Sequence, residues 1–254
     1  MKINTVKQAL KQGRIQIGTG YQQFRSQDAI RALASAGFDW AFLDGEHGGF
    51  SISELQDLCR MAAKTTLSPI VRVADLQYSL VARALDCGAE GVIFPRVEDP
   101  ELLQRAVSWT KFPPEGIRGC GLTPLHIDFE PASIAEIMCH ANEHTMVVLQ
   151  IETVRAVEAM DELLSVPSVD TVMIGPVDLS ISLGVPGEFE HPKMLETVEK
   201  IVAACKTHGV VPGAQARNPA LARRWKEMGM LFVGCGSEVS MLYEKGREVV
   251  AALR

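Results

Sequence analysis

Short apolar runs alternate with longer amphipathic stretches along the chain after residue 13. The apolar runs show no strict alternation with polar residues, which is typical of parallel strands buried on both faces. They predict eight strands, at residues 15–18, 40–43, 69–73, 91–94, 146–151, 171–174, 210–213 and 231–233. Segments of helical period follow them, at residues 27–36, 53–63, 79–87, 101–109, 154–164, 192–208, 219–228 and 238–253.

Eight strands, each followed by a helix, predict a closed (β/α)8 barrel, the TIM barrel. Glycines suited to a left-handed helix end follow four of the predicted helices, at positions 37, 88, 209 and 229. A doubly wound open sheet is the alternative, but it usually has fewer strands and a glycine-rich first turn. The first turn here, Gly18-Thr19-Gly20-Tyr21, lacks the GxGxxG spacing of such folds.

The connection between the fourth and fifth predicted strands, residues 110–145, is too long for a simple loop. We expect part of it to have a function, and residues 131–141 could form an extra helix. No linker, low-complexity tract or internal repeat divides the chain. Two smaller domains would also fit its 254 residues, but we predict one barrel domain over residues 1–254.

Charge and composition narrow the possible functions. The formal net charge of −6 argues against nucleic acid, which normally requires a basic face. No apolar run reaches the roughly 18 residues of a membrane span, and the first residues lack the apolar stretch of a signal peptide. Six cysteines without a CxxC pair indicate free thiols in a reducing compartment. We therefore expect a cytoplasmic protein that binds neither nucleic acid nor membrane.

Ionisable residues follow four of the predicted strands at their carboxyl ends. Strand two runs into Asp44-Gly45-Glu46-His47 and strand three ends at Arg72. Strand five ends next to Glu152, and strand six runs into Gly175-Pro176-Val177-Asp178. In enzymes with a (β/α)8 barrel, the catalytic residues lie at the carboxyl ends of the strands. We therefore expect these groups to meet at one mouth of the barrel.

Glu152 and Asp178 lie one βα unit apart and should be neighbours at this mouth. Two adjacent carboxylates repel each other unless they share a proton or a cation, and Mg²⁺ or Mn²⁺ prefers such oxygen ligands. Open metal positions could take the oxygens of a 2-oxo acid, polarise its ketone and stabilise an enolate. The alternative is that Asp178 caps a helix that begins near Leu179.

His47 and Arg72 are the other candidates for chemistry. Asp44 precedes His47 by three residues, and a carboxylate near an imidazole fixes its tautomer and makes it a general base. The alternative is a solvated histidine beside a capping aspartate. The fork of Arg72 suits a keto acid's carboxylate or an enolate oxygen, although a structural ion pair with Asp44 or Glu46 would also explain it.

Two other chemistries are disfavoured by the sequence. No predicted strand end carries the lysine that a Schiff-base aldolase needs. The remaining histidines form no HxH or HExxH pattern, which disfavours a zinc hydrolase.

The motifs resemble those of the HpcH/HpaI aldolases, a family of class II, metal-dependent pyruvate aldolases. The resemblance runs almost end to end. It is carried by Ala36-Gly37-Phe38-Asp39-Trp40, Asp44-Gly45-Glu46-His47, Val71-Arg72, Leu85-Asp86-Cys87-Gly88-Ala89, Gly116-Ile117-Arg118-Gly119, Gln150-Ile151-Glu152-Thr153 and Ile174-Gly175-Pro176-Val177-Asp178-Leu179-Ser180.

The resemblance implies a role for each of these residues. Glu152 and Asp178 would bind Mg²⁺, Mn²⁺ or Co²⁺. His47, oriented by Asp44, would act as acid and base through a metal-bound water, and Arg72 would hold and polarise pyruvate. The substrate pocket would also include or adjoin Gln150, Asp86 and the backbone of Gly175, Pro176 and Val177. Arg118 could reach over the pocket or belong to a simple turn.

The resemblance further implies a homohexamer, built as a trimer of dimers in which the last helix is exchanged between subunits. Phe232 and a helix over residues 241–253 are compatible with this exchange. Residues 19–23 lack the bulky aromatic that close relatives carry around position 20, and residues 120–126 also depart from the expected pattern. Because both segments could touch the second substrate, its identity stays open.

We therefore predict a carbon–carbon lyase that reversibly cleaves a 4-hydroxy-2-oxo acid to pyruvate and an aldehyde through a metal-stabilised enolate. A related lyase that acts on an acyl-CoA or decarboxylates oxaloacetate is the alternative. A non-catalytic barrel that binds a keto acid would have to explain the convergence of four ionisable groups by chance.

Overall fold

Eight parallel strands close into a barrel in sequence order. The computed structural model describes residues 1–254, with the side chain of Leu125 outside the description. The strands are β1 Gln16–Tyr21, β2 Trp40–Asp44, β3 Ser68–Arg72, β4 Gly91–Phe94, β5 Met146–Ile151, β6 Thr171–Ile174, β7 Gly213–Ala216 and β8 Phe232–Ser237. Because β8 pairs with β1, the sheet has no free edge, and the predicted (β/α)8 barrel is confirmed.

Helices surround the barrel and connect its strands. They are α1 Thr5–Lys11, α2 Gln27–Ser35, α3 Ile52–Ala62, α4 Tyr78–Asp86, α5 Pro100–Ser108, α6 Ile134–His144, α7 Val154–Glu158, α8 Met160–Leu164, α9 Pro176–Ser182, α10 Pro192–His208, α11 Pro219–Glu227 and α12 Glu238–Leu253. The eight predicted helices are all present, and one of them, residues 154–164, is divided into α7 and α8.

Two apolar layers hold the barrel together. Inside it, the rings of Trp40 and Phe232 stack with centroids 3.8 Å apart. Outside it, apolar side chains on the outer faces of the strands pack against the helices, and each buried Leu or Val contributes about 1.5–3 kcal/mol. Helix α1, which the sequence pattern did not predict, places Val6 and Leu10 in the inner layer and so closes the amino-terminal end of the barrel.

Three strands differ from their predicted positions by more than one residue, and glycine and proline explain the differences. Strand β7 starts three residues after the predicted 210, because Pro212 has no N–H to donate to a ladder. Strands β1 and β8 are longer than predicted. Glycines occupy their interior-facing positions, and because glycine has a low strand propensity, the sequence pattern ended both strands too early. A Cβ on Gly18 would lie 2.1 Å from the Trp40 ring, so the buried tryptophan requires glycine there.

The long connection before β5 contains the extra helix that the sequence suggested, as α6. Ser133 begins α6 with a capping box to Glu136, which explains why it starts later than the predicted residue 131. The buried Nζ of Lys111 donates to the carbonyls of Asn142 (2.5 Å) and Thr145 (3.2 Å) and so ties the connection to the amino-terminal end of β5. Within the described residues, no helix is both long and apolar enough to cross a membrane.

Candidate functional site

A buried ion pair joins the carboxyl ends of β2 and β3. Asp44 and Arg72 are opposite each other in the strand register, and they are 0% and 6% exposed. The guanidinium donates from Nε to Oδ1 at 3.0 Å and from Nη2 to Oδ2 at 2.7 Å. This two-pronged contact is the strong form of the arginine–carboxylate bond and fixes the orientation of both groups.

Asp44 also organises the loop that follows β2. Its Oδ1 accepts the backbone N–H groups of Glu46 and His47, both at 3.1 Å, and its Oδ2 accepts the side-chain amide of Gln22 at 3.0 Å. Burial raises the pKa of Asp44, but Arg72 and these hydrogen bonds outweigh burial and hold the pKa below its usual value. The carboxylate is therefore kept ionised.

Arg72 has further partners on its other nitrogen. Nη1 lies 3.2 Å from the carboxylate of Glu46 and donates to Oε1 of Gln150 at 3.4 Å. The guanidinium also sits 4.8 Å from the centroid of the Phe42 ring, within the range of a cation–π contact. The structural ion pairs considered from the sequence are thus both present, and they hold the guanidinium at the barrel mouth.

His47 lies beyond this cluster, with its side chain 65% exposed. Asp44 bonds to its backbone N–H and not to its imidazole, which differs from the predicted carboxylate–imidazole contact. The carboxylate near the ring is Glu46, whose Oε1 lies 3.7 Å from Nε2, beyond hydrogen-bond distance. The predicted orientation by Asp44 is therefore indirect, through the loop backbone.

Glu152 is a buried carboxylate directly after β5, only 3% exposed. Its Oε1 accepts the backbone N–H of Arg96 at 2.7 Å, and its Oε2 accepts the amide of Gln150 at 2.5 Å. Burial raises the pKa of Glu152, and the nearby charges of Asp178 and Glu46 raise it further against these hydrogen bonds. The hydrogen bonds therefore do not fully offset the cost of ionising Glu152 at this buried position.

Asp178 and Glu152 line the same open cavity, of about 320 Å³, together with Glu46 and His47. Asp178 lies in the first turn of α9, and no side-chain hydrogen bond caps that helix, so the capping alternative does not hold. Gly175 is the N-cap of α9. A Cβ at this position would lie 2.8 Å from Oε2 of Glu152, so the site requires glycine there. This glycine lets the α9 turn approach the buried carboxylate closely.

The charges around the mouth favour a bound cation. Carboxylates outnumber guanidinium groups by four to two, counting Asp44, Glu46, Glu152 and Asp178 against Arg72 and Arg96. Within the described part of the chain, no group of three or more His, Cys, Asp or Glu side chains forms a complete metal site. Two oxygen donors beside a cavity suit a hard divalent ion that keeps several open positions, so the residues fit such an ion.

Comparison with known proteins identifies the family of this chain. The profile of the HpcH/HpaI aldolase/citrate lyase family matches residues 21–244. The chain belongs to this family.

Relatives in the HpcH/HpaI family cover nearly the whole chain. A 4-hydroxy-2-oxo-heptane-1,7-dioate aldolase of Salmonella dublin is 35% identical over 249 residues, 98% of this chain and 94% of the relative. The crystal structure of an HpcH/HpaI aldolase from Desulfitobacterium hafniense DCB-2 is 34% identical, with a TM-score of 0.92, and covers 97% and 95% of the two chains. A family protein from Burkholderia cenocepacia J2315 is 32% identical, with a TM-score of 0.91, and 99% of each chain is covered. The chain is therefore an enzyme of the aldolase or lyase type.

Two residues that the HpcH/HpaI resemblance placed in or near the pocket lie elsewhere in this chain. Asp86 ends α4 and pairs with Arg118 at 2.8 Å, and Arg118 also stacks 4.7 Å from the ring centroid of Phe112. A helix that follows a barrel strand runs back towards the amino-terminal end, so Asp86 lies at the opposite end of the barrel from His47. Within one subunit, Asp86 and Arg118 therefore do not line the cavity of Glu152 and Asp178, and their contact with the substrate stays a prediction.

Sequence reasoning missed other contributors to the HpcH/HpaI site. Glu46 was treated only as an ion-pair partner, although it approaches both Arg72 and the imidazole of His47. Gln22 was not considered as a hydrogen-bond donor to Asp44, since it comes from the loop after β1 and nothing in its local pattern signals the contact. The strand-end rule would have found Glu46, because it stands in the same segment as Asp44.

Replacing Asp44 by Asn should destabilise the protein by about 3–5 kcal/mol, because the buried Arg72 loses its closest charged partner. The pKa of Asp44 is lower in the folded state than in the unfolded state. The ion pair therefore contributes fully to stability above the unfolded-state pKa of about 3.9, and this contribution is lost as the pH falls through the folded-state pKa. The variant should therefore lose less stability in acid than the wild type does. Urea unfolding at several pH values measures both effects.

The matched control is Asp28→Asn, which removes an exposed partner of Arg31. Because exposed pairs contribute little, this variant should unfold like the wild type. An Asp44→Asn variant as stable as the control would contradict the role given to the buried pair.

Proposed function

We propose that this enzyme reversibly cleaves a 4-hydroxy-2-oxo acid into pyruvate and an aldehyde. The proposal rests above all on one observation: the carboxylates of Glu152 and Asp178 line one cavity together with the imidazole of His47. The cavity combines anionic oxygen ligands with an imidazole, and the fixed guanidinium of Arg72 lies next to it, 3.2 Å from the carboxylate of Glu46 in its lining. These are the groups needed to bind an oxo acid, move a proton and stabilise an enolate.

Arg72 is placed to bind the oxo acid. Its contacts with Glu46 and Gln150, at 3.2 and 3.4 Å, are longer than its contacts with Asp44. A substrate oxygen that approached Nη1 would therefore compete with the weaker partners while Asp44 keeps the guanidinium in position. Gln150 and the backbone of Gly175, Pro176 and Val177 would complete the binding surface, since Gln150 touches both Arg72 and the carboxylate after β5.

His47 carries the proton in this proposal. Its exposed imidazole takes the proton of the C4 hydroxyl group, and the C3–C4 bond breaks as the C4 carbonyl of the aldehyde forms. The electron pair of the broken bond passes to C3 and the C2 oxygen, which gives the enolate of pyruvate. The same imidazole then returns a proton to C3 and releases pyruvate. The reverse sequence joins pyruvate to an aldehyde.

Glu152 and Asp178 would hold a divalent cation, Mg²⁺, Mn²⁺ or Co²⁺. When bound, such an ion supplies Lewis-acid catalysis at the ketone oxygen of the oxo acid. The raised pKa of Glu152 supports this assignment, because a nearby cation would compensate the charge that burial and Asp178 disfavour.

The second substrate is less defined than pyruvate. The Salmonella relative is a 4-hydroxy-2-oxo-heptane-1,7-dioate aldolase, whose name specifies a long dicarboxylic acid. By analogy, we place the substrate of this enzyme among the 4-hydroxy-2-oxo acids without choosing the aldehyde. The family description also includes citrate lyases, so a lyase that acts on an acyl-CoA is the second candidate. Release of CoA from a hydroxyacyl-CoA would support that candidate.

We also propose that the enzyme is a cytoplasmic homo-oligomer assembled through α12. Apolar side chains at helical spacing form an exposed stripe on this helix: Val239, Leu242, Tyr243, Val249, Val250 and Leu253. Their exposed fractions range from 39% to 82%, whereas a stripe of this kind is normally buried. Exchange of α12 between subunits, in the hexamer that the family resemblance implies, would cover it. Six free cysteines fit a reducing compartment.

Pyruvate in D₂O tests the proposed chemistry without a choice of aldehyde. With Mg²⁺, Mn²⁺ or Co²⁺, we expect the wild type to exchange the methyl protons of pyruvate for deuterium, observed by NMR, and a chelator should stop the exchange. His47→Asn should slow it by roughly 10²–10⁴-fold, because the proton carrier is lost. His208→Asn, at the distant end of α10, is the control. A folded wild type that shows no exchange with any of the three metals would refute the pyruvate mechanism.

Glu152→Gln should weaken Mn²⁺ binding, measured by calorimetry, by on the order of 100-fold or more. Because a proton competes with the cation for Glu152, wild-type affinity should rise as the pH rises through the raised pKa of this group and then level off. The metal-free variant should be at least as stable as the metal-free wild type, since its ionised carboxylate is removed. Exposed Glu162→Gln serves as the control. Unchanged Mn²⁺ affinity in Glu152→Gln would refute the ligand assignment.

The double variant Leu242→Asp, Leu253→Asp tests the assembly by light scattering after size-exclusion chromatography. Charges within the apolar stripe should oppose its burial, so the oligomer of the wild type should dissociate. Leu102→Asp on α5 changes a half-buried leucine outside the stripe and should leave the oligomer intact. A monomeric wild type, or a double variant with the wild-type mass, would contradict the role of α12.

A further inference from the structure

Glu238 is a buried acid that the chemistry described above does not use. It is the first residue of α12 and is 6% exposed. One of its oxygens, Oε1, accepts three consecutive backbone N–H groups, those of Gln22 (2.8 Å), Gln23 (2.6 Å) and Phe24 (3.1 Å). Hydrogen bonds to a charged acceptor are roughly twice as strong as neutral ones. The carboxylate therefore fixes the backbone that follows β1.

The helix does not need Glu238 for its own start. Ser237 is the N-cap of α12 and exchanges hydrogen bonds with Ser240 in a capping box. The carboxylate of Glu238 instead leaves the helix to meet the loop after β1. Its second oxygen, Oε2, is buried and has no hydrogen-bond partner, which costs free energy. An acid held at such a cost is explained better by what it positions than by the stability of the helix.

The loop that Glu238 holds leads to the general base in two further contacts. The side-chain amide of Gln22 donates to Oδ2 of Asp44 at 3.0 Å, and Oδ1 of Asp44 accepts the backbone N–H of His47 at 3.1 Å. Each contact in this series is a hydrogen bond to a buried carboxyl group. Displacement of the loop would remove a partner from Asp44, which holds both the His47 backbone and Arg72.

We propose that Glu238 is a positioning residue for the proton transfer. It holds the backbone of residues 22–24 so that Gln22 supports Asp44, which in turn fixes the segment carrying His47. The catalytic consequence rests on the proposed function, whereas the mechanical link from Glu238 to the loop after β2 does not.

The kinetic test uses the deuterium exchange of pyruvate and separates kcat from KM. Glu238→Ala should lower kcat by on the order of tenfold, because a displaced general base transfers protons slowly. The KM for pyruvate should change by less than about twofold, since Arg72, Glu152 and Asp178 keep their own contacts. Glu238→Gln keeps the length and one acceptor oxygen, so it should recover part of kcat. Glu248→Gln, an exposed change on the same helix, is the control.

A double-variant cycle tests the route through Gln22. Gln22→Ala alone should lower kcat, and adding Glu238→Ala should lower it little further, because both changes break the same series of contacts. Full additivity of the two changes, a wild-type kcat in Glu238→Ala, or a loss confined to KM would each overturn the proposal.

Amide hydrogen exchange tests the link even if the wild type proves inactive towards pyruvate. In Glu238→Gln, peptides covering residues 20–26 and 44–48 should both exchange faster than in the wild type and in Glu248→Gln. Faster exchange at residues 20–26 with no change at residues 44–48 would refute the link to the general base. An inactive wild type would instead refute the proposed function, so the two failures can be told apart.

Discussion

The mouth of this barrel depends on the buried pair of Asp44 and Arg72. Neighbouring strands place the two residues opposite each other at their last positions, where the pair is almost fully removed from water. Removing two charges from water is costly, and only close geometry with further hydrogen bonds compensates for it. Asp44 has those bonds, to two backbone N–H groups and to Gln22. The pair therefore fixes the loop that carries His47 together with the guanidinium.

The other side of the mouth has the opposite electrostatic character. Glu152 is nearly as buried as Asp44, but its neighbours include Asp178 and Glu46, and its pKa is raised where that of Asp44 is lowered. Two carboxylates in one barrel are thus held in different states by their surroundings, one compensated by a guanidinium and one left to attract a cation. This contrast separates the group that would orient the proposed base from the group that would bind the metal.

Much of this architecture could be predicted, because a parallel strand buried on both faces must be apolar and a barrel carries its chemistry at the carboxyl strand ends. Those two rules were enough to find Asp44, Arg72 and Glu152. They failed at β7, where the local pattern and the tertiary structure disagree. The polar residue of this strand faces the barrel interior, and the apolar run predicted as the strand meets a proline just before β7 begins. The contact between Gln22 and Glu238 joins residues 216 positions apart, so no local pattern could reveal it.

Helix α12 brings the proposed assembly and the proposed chemistry into one element. Its outer face carries the exposed apolar stripe, and its first residue, Glu238, holds the loop whose Gln22 supports Asp44. From Leu242 onwards every residue of α12 is exposed, so packing against its own barrel does little to restrain this part of the helix. Burial of the stripe against another subunit would restrain the helix and, through Glu238, the segment that carries His47. On this argument, the proposed assembly would do more than add stability, since it would also keep the proposed proton carrier in position.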